Sequence, residues 1–189
     1  MSIPQEERKY SYADYLVWDE DRIEVIDGIV INMTPAPSRK HQQVLREIST
    51  EFSLFLRDKE CEVFFAPFDV RLLSEGNKDD ETYNVVQPDL TVICDKEKLD
   101  EKGCKGSPDI IIEILSPASV KIDRWKKYQL YEKAGVKEYW IVDVNNESVE
   151  VYYLEDKQFE FHGVFTREDT MSVLTIKGLE LNLNTIFGV

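Results

Sequence analysis

Residues 109–116 of the chain read DIIIEILS and place an acid inside an apolar run. Side chains alternate along a strand, so Asp109, Ile111, Glu113 and Leu115 share one face and Ile110, Ile112 and Ile114 the other. An apolar run this continuous predicts a central strand covered on both sides. Glu113 then needs a cation, a hydrogen-bond network or a proton to offset its burial. A second acid opens another apolar run, QPDLTVICD at 87–95. Pro88 lacks a donor and marks a strand start, which leaves Asp89 at its mouth. If the two strands are neighbours, Asp89 and Glu113 converge, and facing carboxylates repel unless a metal lies between them. Oxygen ligands select Mg2+, Mn2+ or Ca2+. A third segment, KIDRWKKYQLYEKAGV at 121–136, puts Asp123, Lys127, Tyr131 and Ala134 on one helical face, with the lysine in reach of the carboxylates. Plainer accounts stand beside these. Asp89 can be a turn residue, Glu113 can form a structural ion pair with Lys127, and Asp123 with Lys127 can be a helical pair worth about 0.2–0.5 kcal/mol.

The elements that must position these groups follow from periodicity. Residues 12–18 suggest a short helix. RIEVI-DG-IVINM at 22–33 is a hairpin with Asp27-Gly28 in a type I′ turn. Ser38 caps a helix to about residue 59, with Val44, Ile48, Phe52 and Phe55 as its apolar stripe. Residues 63–73, 86–94 and 109–115 read as three strands, the last two joined by a charged, solvent-facing loop at 95–107. Ser119 and Gly135 bracket a helix over 120–134, and 138–144 is a fourth strand. Residues 149–154 and 158–165 form a hairpin turning at Glu155-Asp156, and GLELNLNTIF adds an edge strand. The strand-helix-strand unit at 109–144 implies a parallel pair. His41 reads as a satisfied, half-buried histidine, with a substrate contact as the alternative, Glu24 as a solvent-facing hairpin carboxylate, and Tyr139-Trp140 as core.

Pro88-Asp89 followed by Glu113 on the next strand resembles the PD-(D/E)xK nuclease signature. More narrowly, the chain resembles the bacterial family of putative restriction endonucleases of the Uma type. The matching pieces are EVIDG at 24–28, His41 opening a helix, QPDL at 87–90, IEILSP at 112–117, Asp123 with Lys127 and Tyr131, and GVKEYWIVD at 135–143. The resemblance implies an α/β, restriction-endonuclease-like fold: a mixed central sheet flanked by helices, with N- and C-terminal β-hairpins, in one domain over residues 1–189. It implies metal-dependent hydrolysis of DNA phosphodiester bonds, with Asp89, Glu113 and the carbonyl of Ile114 holding Mg2+ or Mn2+. Asp89, Glu113 and Lys127 are then the catalytic set. One departure stands out: the superfamily lysine two residues after the glutamate is Leu115 here, and Lys127 on the following helix is the matching position.

Composition bounds these readings. A chain of 189 residues with 42% hydrophobic and 11% aromatic content suits one folded domain. No window supplies the apolar length of a membrane span, and the polar start is no secretory signal. Three cysteines without a CxxC pair, and two histidines, argue against a disulfide framework or structural zinc and for a cytoplasmic setting. The net charge of −14 opposes DNA binding unless a basic patch or metal offsets it; Lys121, Arg124, Lys126, Lys127 and Lys133 are a modest cluster. That charge and Leu115 favour a rival, a non-catalytic nuclease-fold binding or assembly module. A homodimer is compatible with either.

Overall fold

The computed structural model describes residues 8–18, 23–32, 36–73, 78–117 and 119–188. Fourteen strands form among them: β1 (Ile23–Ile26), β2 (Ile29–Asn32), β3 (Glu62–Phe65), β4 (Val70–Arg71), β5 (Val85–Val86), β6 (Leu90–Ile93), β7 (Leu99–Asp100), β8 (Gly103–Lys105), β9 (Ile110–Ile114), β10 (Glu138–Asp143), β11 (Ser148–Glu155), β12 (Gln158–Thr166), β13 (Thr170–Ser172) and β14 (Glu180–Asn182). The helices are α1 (Tyr12–Tyr15), α2 (Arg39–Leu56), α3 and α4 (Leu183–Phe187). Helix α3 joins a π-helical turn, Ile122–Lys127, to a regular stretch, Tyr128–Ala134.

The central sheet has the order β12-β11-β10-β9-β6-β3. Only β9 and β10 are parallel within it, as the strand-helix-strand unit requires. Ile110, Ile112 and Ile114 pack one face against α2 and α4. Ile111 and Leu115 pack the other against α3 and a second sheet. That second sheet, β2-β1-β5-β4-β8-β7, is more than sequence periodicity anticipates. The apolar runs at 63–73 and 86–94 each divide between the two sheets, and the breaks fall at Pro67 and Pro88, which cannot donate to a ladder. The Gln87-Pro88-Asp89 segment is thus the crossing from β5 to β6.

Local rules hold where local chemistry decides. Asp27 and Gly28 both take positive φ, as a type I′ turn demands; Arg22 and Met33 of that hairpin lie outside the described residues. Ser38 Oγ accepts the His41 N–H and starts α2. Gly135 closes α3 at φ +86°. The β11–β12 turn falls at Asp156-Lys157, one residue later than expected. Residues 95–107 are not a solvent loop: they contain β7 and β8, and Gly103 and Cys104 are buried between the sheets. GLELNLNTIF yields β14, paired with β13, and then turns helical as α4 because Asn182 caps it.

Cysteine spacing misleads as well. Cys61 and Cys94 are joined by a disulfide, with Cα atoms 3.8 Å apart. They flank the Glu62–Ile93 pair of β3 and β6, so the sheet register brings together residues that lie 33 apart in the chain. The cysteine argument for a reducing compartment loses its premise. Cys104 is the free, buried thiol among the described residues. No helix among them is long and apolar enough to cross a membrane.

Candidate functional site

Antiparallel pairing of β6 with β9 matches Leu90 to Ile112, which puts Asp89 opposite Glu113 one step further along. The convergence expected of the two carboxylates follows from that register. Asp89 Oδ2 accepts the Ile114 N–H at 2.8 Å, so the strand that carries Glu113 also holds Asp89. Ile114 therefore meets Asp89 through its amide; its carbonyl remains the group expected to face an ion.

Lys127 sits at the centre of the site. Its Nζ lies 2.9 Å from Glu24 Oε1, 3.0 Å from Glu113 Oε1 and 3.8 Å from Asp123 Oδ1. Glu24, Glu113, Asp123 and Lys127 are only 2–4% exposed, so this network is desolvated. The helical face deduced for Asp123, Lys127 and Tyr131 is real, and the tyrosine hydroxyl donates to Glu113 Oε1 at 2.7 Å. The wide π-helical turn carries Asp123 and Lys127, and the Tyr139 hydroxyl donates to the Asp123 carbonyl at 3.1 Å. Such turns recur at functional sites.

Glu24 corrects the sequence reading. It is not a solvent-facing hairpin carboxylate: besides Lys127 it accepts the Gln87 N–H at 2.8 Å. All four residues of β1 are buried, so Glu24 is an acid within an apolar strand, the same signal that singles out Glu113. His41 is buried rather than half-buried, and it is not satisfied. Its Nε2 stands 3.3 Å from Asp89 Oδ2, while the buried Nδ1 has no partner. Asp109, on the Glu113 face, serves the fold by accepting from Lys137 and from the Cys94 N–H. Of the basic cluster, Lys127 is buried and Arg124 is tied to Glu150 by two hydrogen bonds; Lys121, Lys126 and Lys133 are exposed.

Electrostatics follow from crowding. Burial pushes the Glu113 carboxyl well above the usual carboxylate range; Lys127 opposes that, and Asp123, Asp89 and Glu24 add to it. Asp123 is also raised, by burial first, against Lys127 and a hydrogen bond from Ser119. Burial works against the Lys127 charge, but Glu113, Glu24 and Asp123 together outweigh it and hold the ammonium well above its ordinary value. Three carboxylates thus face one ammonium, with Asp89 beside Glu113, and the surplus negative charge is relieved by a proton or a cation. The donor set suits a hard divalent ion. Among the described residues no three His, Cys, Asp or Glu side chains already converge as a ligand set, and Glu113 Oε1 is engaged by Lys127 and Tyr131.

The adjoining cavity is lined by Glu24, His41, Asp89, Glu113, Ile114, Asp123 and Lys127 and measures about 80 Å3. At about 10–15 Å3 of cavity per water it admits an ion with several waters.

Comparison with known proteins agrees with this architecture. The uncharacterized protein slr1290 of Synechocystis sp. (strain ATCC 27184 / PCC 6803 / Kazusa) is 26% identical over 152 residues, 78% of this chain and 76% of the relative. The crystal structure of a putative nuclease belonging to DUF820 from Anabaena variabilis superposes with a TM-score of 0.74 at 22% identity, covering 94% of this chain and 97% of that one. It shares the mixed α/β fold. A family model described as "Putative restriction endonuclease" matches residues 12–184, and the chain belongs to that family.

Proposed function

We propose that the chain is a metal-dependent endonuclease that hydrolyses DNA phosphodiester bonds, with Asp89, Glu113 and Lys127 as its catalytic residues. One observation carries the reading: Glu24 of β1, Glu113 of β9 and Asp123 of α3 converge on a single buried lysine, and Asp89 lines the same small cavity. Family membership and the fold shared with a protein described as a putative nuclease support it. Asp89, Glu113 and the Ile114 carbonyl are the groups that would hold Mg2+ or Mn2+. Such an ion, when bound, supplies Lewis-acid polarisation of a phosphate and a more acidic water. Asp89 is oriented by the Ile114 amide, and Glu113 by Tyr131 and Lys127. The Lys127 ammonium stabilises negative charge on a phosphate at the cavity mouth, and Glu24 and Asp123 keep it charged. No residue in the set acts as a covalent nucleophile.

The test is incubation of the purified chain with supercoiled, linear and single-stranded DNA in Mg2+ or Mn2+. Cleavage is expected, and Asp89→Asn or Glu113→Gln abolishes it. A wild-type chain that binds neither ion and cuts none of these substrates overturns the proposal. The same closed ion-pair network around Lys127 is the observation that favours the second reading, a non-catalytic module, which that outcome would support.

A further inference from the structure

We propose that His41 is a ligand of the same ion as Asp89, so that the centre takes Mn2+, a transition ion that accepts an imidazole, in preference to Mg2+. The inference rests on the metal-binding reading of Asp89 given above. It concerns the choice of metal, which that reading leaves open.

His41 is placed by a rigid device. It sits in the first turn of α2, and its N–H is bound at 3.2 Å by the capping Ser38 Oγ. The ring is carried to the cavity wall, where it stands beside Asp89 and is only 6% exposed. A histidine buried for structural reasons satisfies its ring nitrogens, because an unmet buried polar atom costs about 1–3 kcal/mol. His41 meets this requirement poorly. The contact of Nε2 with Asp89 Oδ2, at 3.3 Å, is long for a charge-assisted hydrogen bond of about 2.7–2.9 Å, and Nδ1, buried without a protein partner, is left as it is by an ion on Nε2. By comparison, Lys127 and Tyr131 bind the neighbouring carboxylates at 2.7 to 3.0 Å.

The spacing has another account. Two donors bound to one ion at about 2.1 Å and a right angle stand about 3 Å apart. Nε2 and Asp89 Oδ2 are close to that separation, and Oδ2 keeps a lone pair beyond the one given to the Ile114 amide. An imidazole added to carboxylate and carbonyl oxygens is accepted by first-row transition ions, Mn2+ included, more readily than by Mg2+, which keeps to oxygen ligands and water.

Calorimetric titration of the full chain with MnCl2 and with MgCl2, in wild type, His41→Ala, His41→Gln and Asp89→Asn, tests the assignment. Melting curves in EDTA establish that each variant is folded. Both histidine variants are expected to lose at least about tenfold in Mn2+ affinity and less than about threefold in Mg2+ affinity. Pulsed electron paramagnetic resonance of the Mn2+-loaded wild type is expected to show modulation from a directly bound imidazole nitrogen, and this needs no variant. Unchanged Mn2+ binding in His41→Ala, or absence of the nitrogen signal, overturns the ligand role while the metal reading of Asp89 stands. Equal loss for both ions, restored by glutamine, also overturns it and makes His41 a positioning residue for Asp89. Wild type that binds neither ion overturns the metal reading itself, and this inference with it.

Discussion

Lys127 Nζ stands 3.0 Å from Glu113 Oε1, joining the π-helical turn of α3 to the central strand β9. The same ammonium reaches Glu24 on the second sheet, so one side chain ties three layers together. A lysine in this position holds the fold together whatever its part in chemistry.

Lys127→Ala is therefore predicted to destabilise the protein by about 3–5 kcal/mol, because it leaves buried carboxylates without a counter-charge. Excess Mn2+ should recover part of the loss by supplying positive charge. Thermal melts in EDTA and then in Mn2+ measure both effects. A variant that melts with wild type in EDTA would show that the network contributes nothing to stability.

Glu113→Gln should behave differently. In the absence of metal Glu113 is pushed toward its protonated form, and Lys127 keeps Glu24 and Asp123 as partners. The amide preserves shape and removes one competing charge, so melting in EDTA is expected to hold or rise. Stabilisation by Mn2+ should vanish. A marked fall in EDTA would instead identify Glu113 as a structural ion-pair partner.

Metal binding should tighten with pH. A carboxyl raised above its unfolded value near 4.5 contributes stability that is present below that value and is lost as pH rises through its folded value. The ion needs the deprotonated form, so binding releases a proton from Glu113. Affinity for Mn2+ should rise by up to about tenfold per pH unit while Glu113 remains protonated in the free protein. Titrations at several pH values, in buffers of different ionisation enthalpy, report the proton released. Affinity flat from acidic to alkaline pH would refute the coupling.

Glu138, in the GVKEYWIVD segment, provides a contrast. Fully buried, it accepts Trp140 Nε1 at 2.8 Å and the Thr175 N–H at 2.7 Å, with the Leu174 N–H at 3.3 Å. Its role is to dock the segment after β13. Glu138→Ala is predicted to strand these donors at about 1–3 kcal/mol each at most and lower the melting temperature, while Mn2+ affinity stays within about twofold of wild type. Lost ion binding in a folded Glu138→Ala protein would contradict this division.

What the sequence by itself determined is what local rules control. Alternation along DIIIEILS assigned Glu113 its face, helical spacing grouped Asp123, Lys127 and Tyr131, and Asp27-Gly28 declared its turn. Each depends on backbone geometry over a few residues, which the local order of residue types specifies directly. Tertiary structure decided the rest, because pairing between distant strands is chosen by the global packing of their faces. The register of β6 on β9 put Asp89 opposite Glu113, and the second sheet turned Glu24 inward toward a lysine 103 positions later. The division of two apolar runs between sheets, the meeting of Cys61 with Cys94, and the approach of His41 to Asp89 likewise follow from long-range contacts. No short window of residues encodes these, since each partner's environment is supplied by an element far away in the chain.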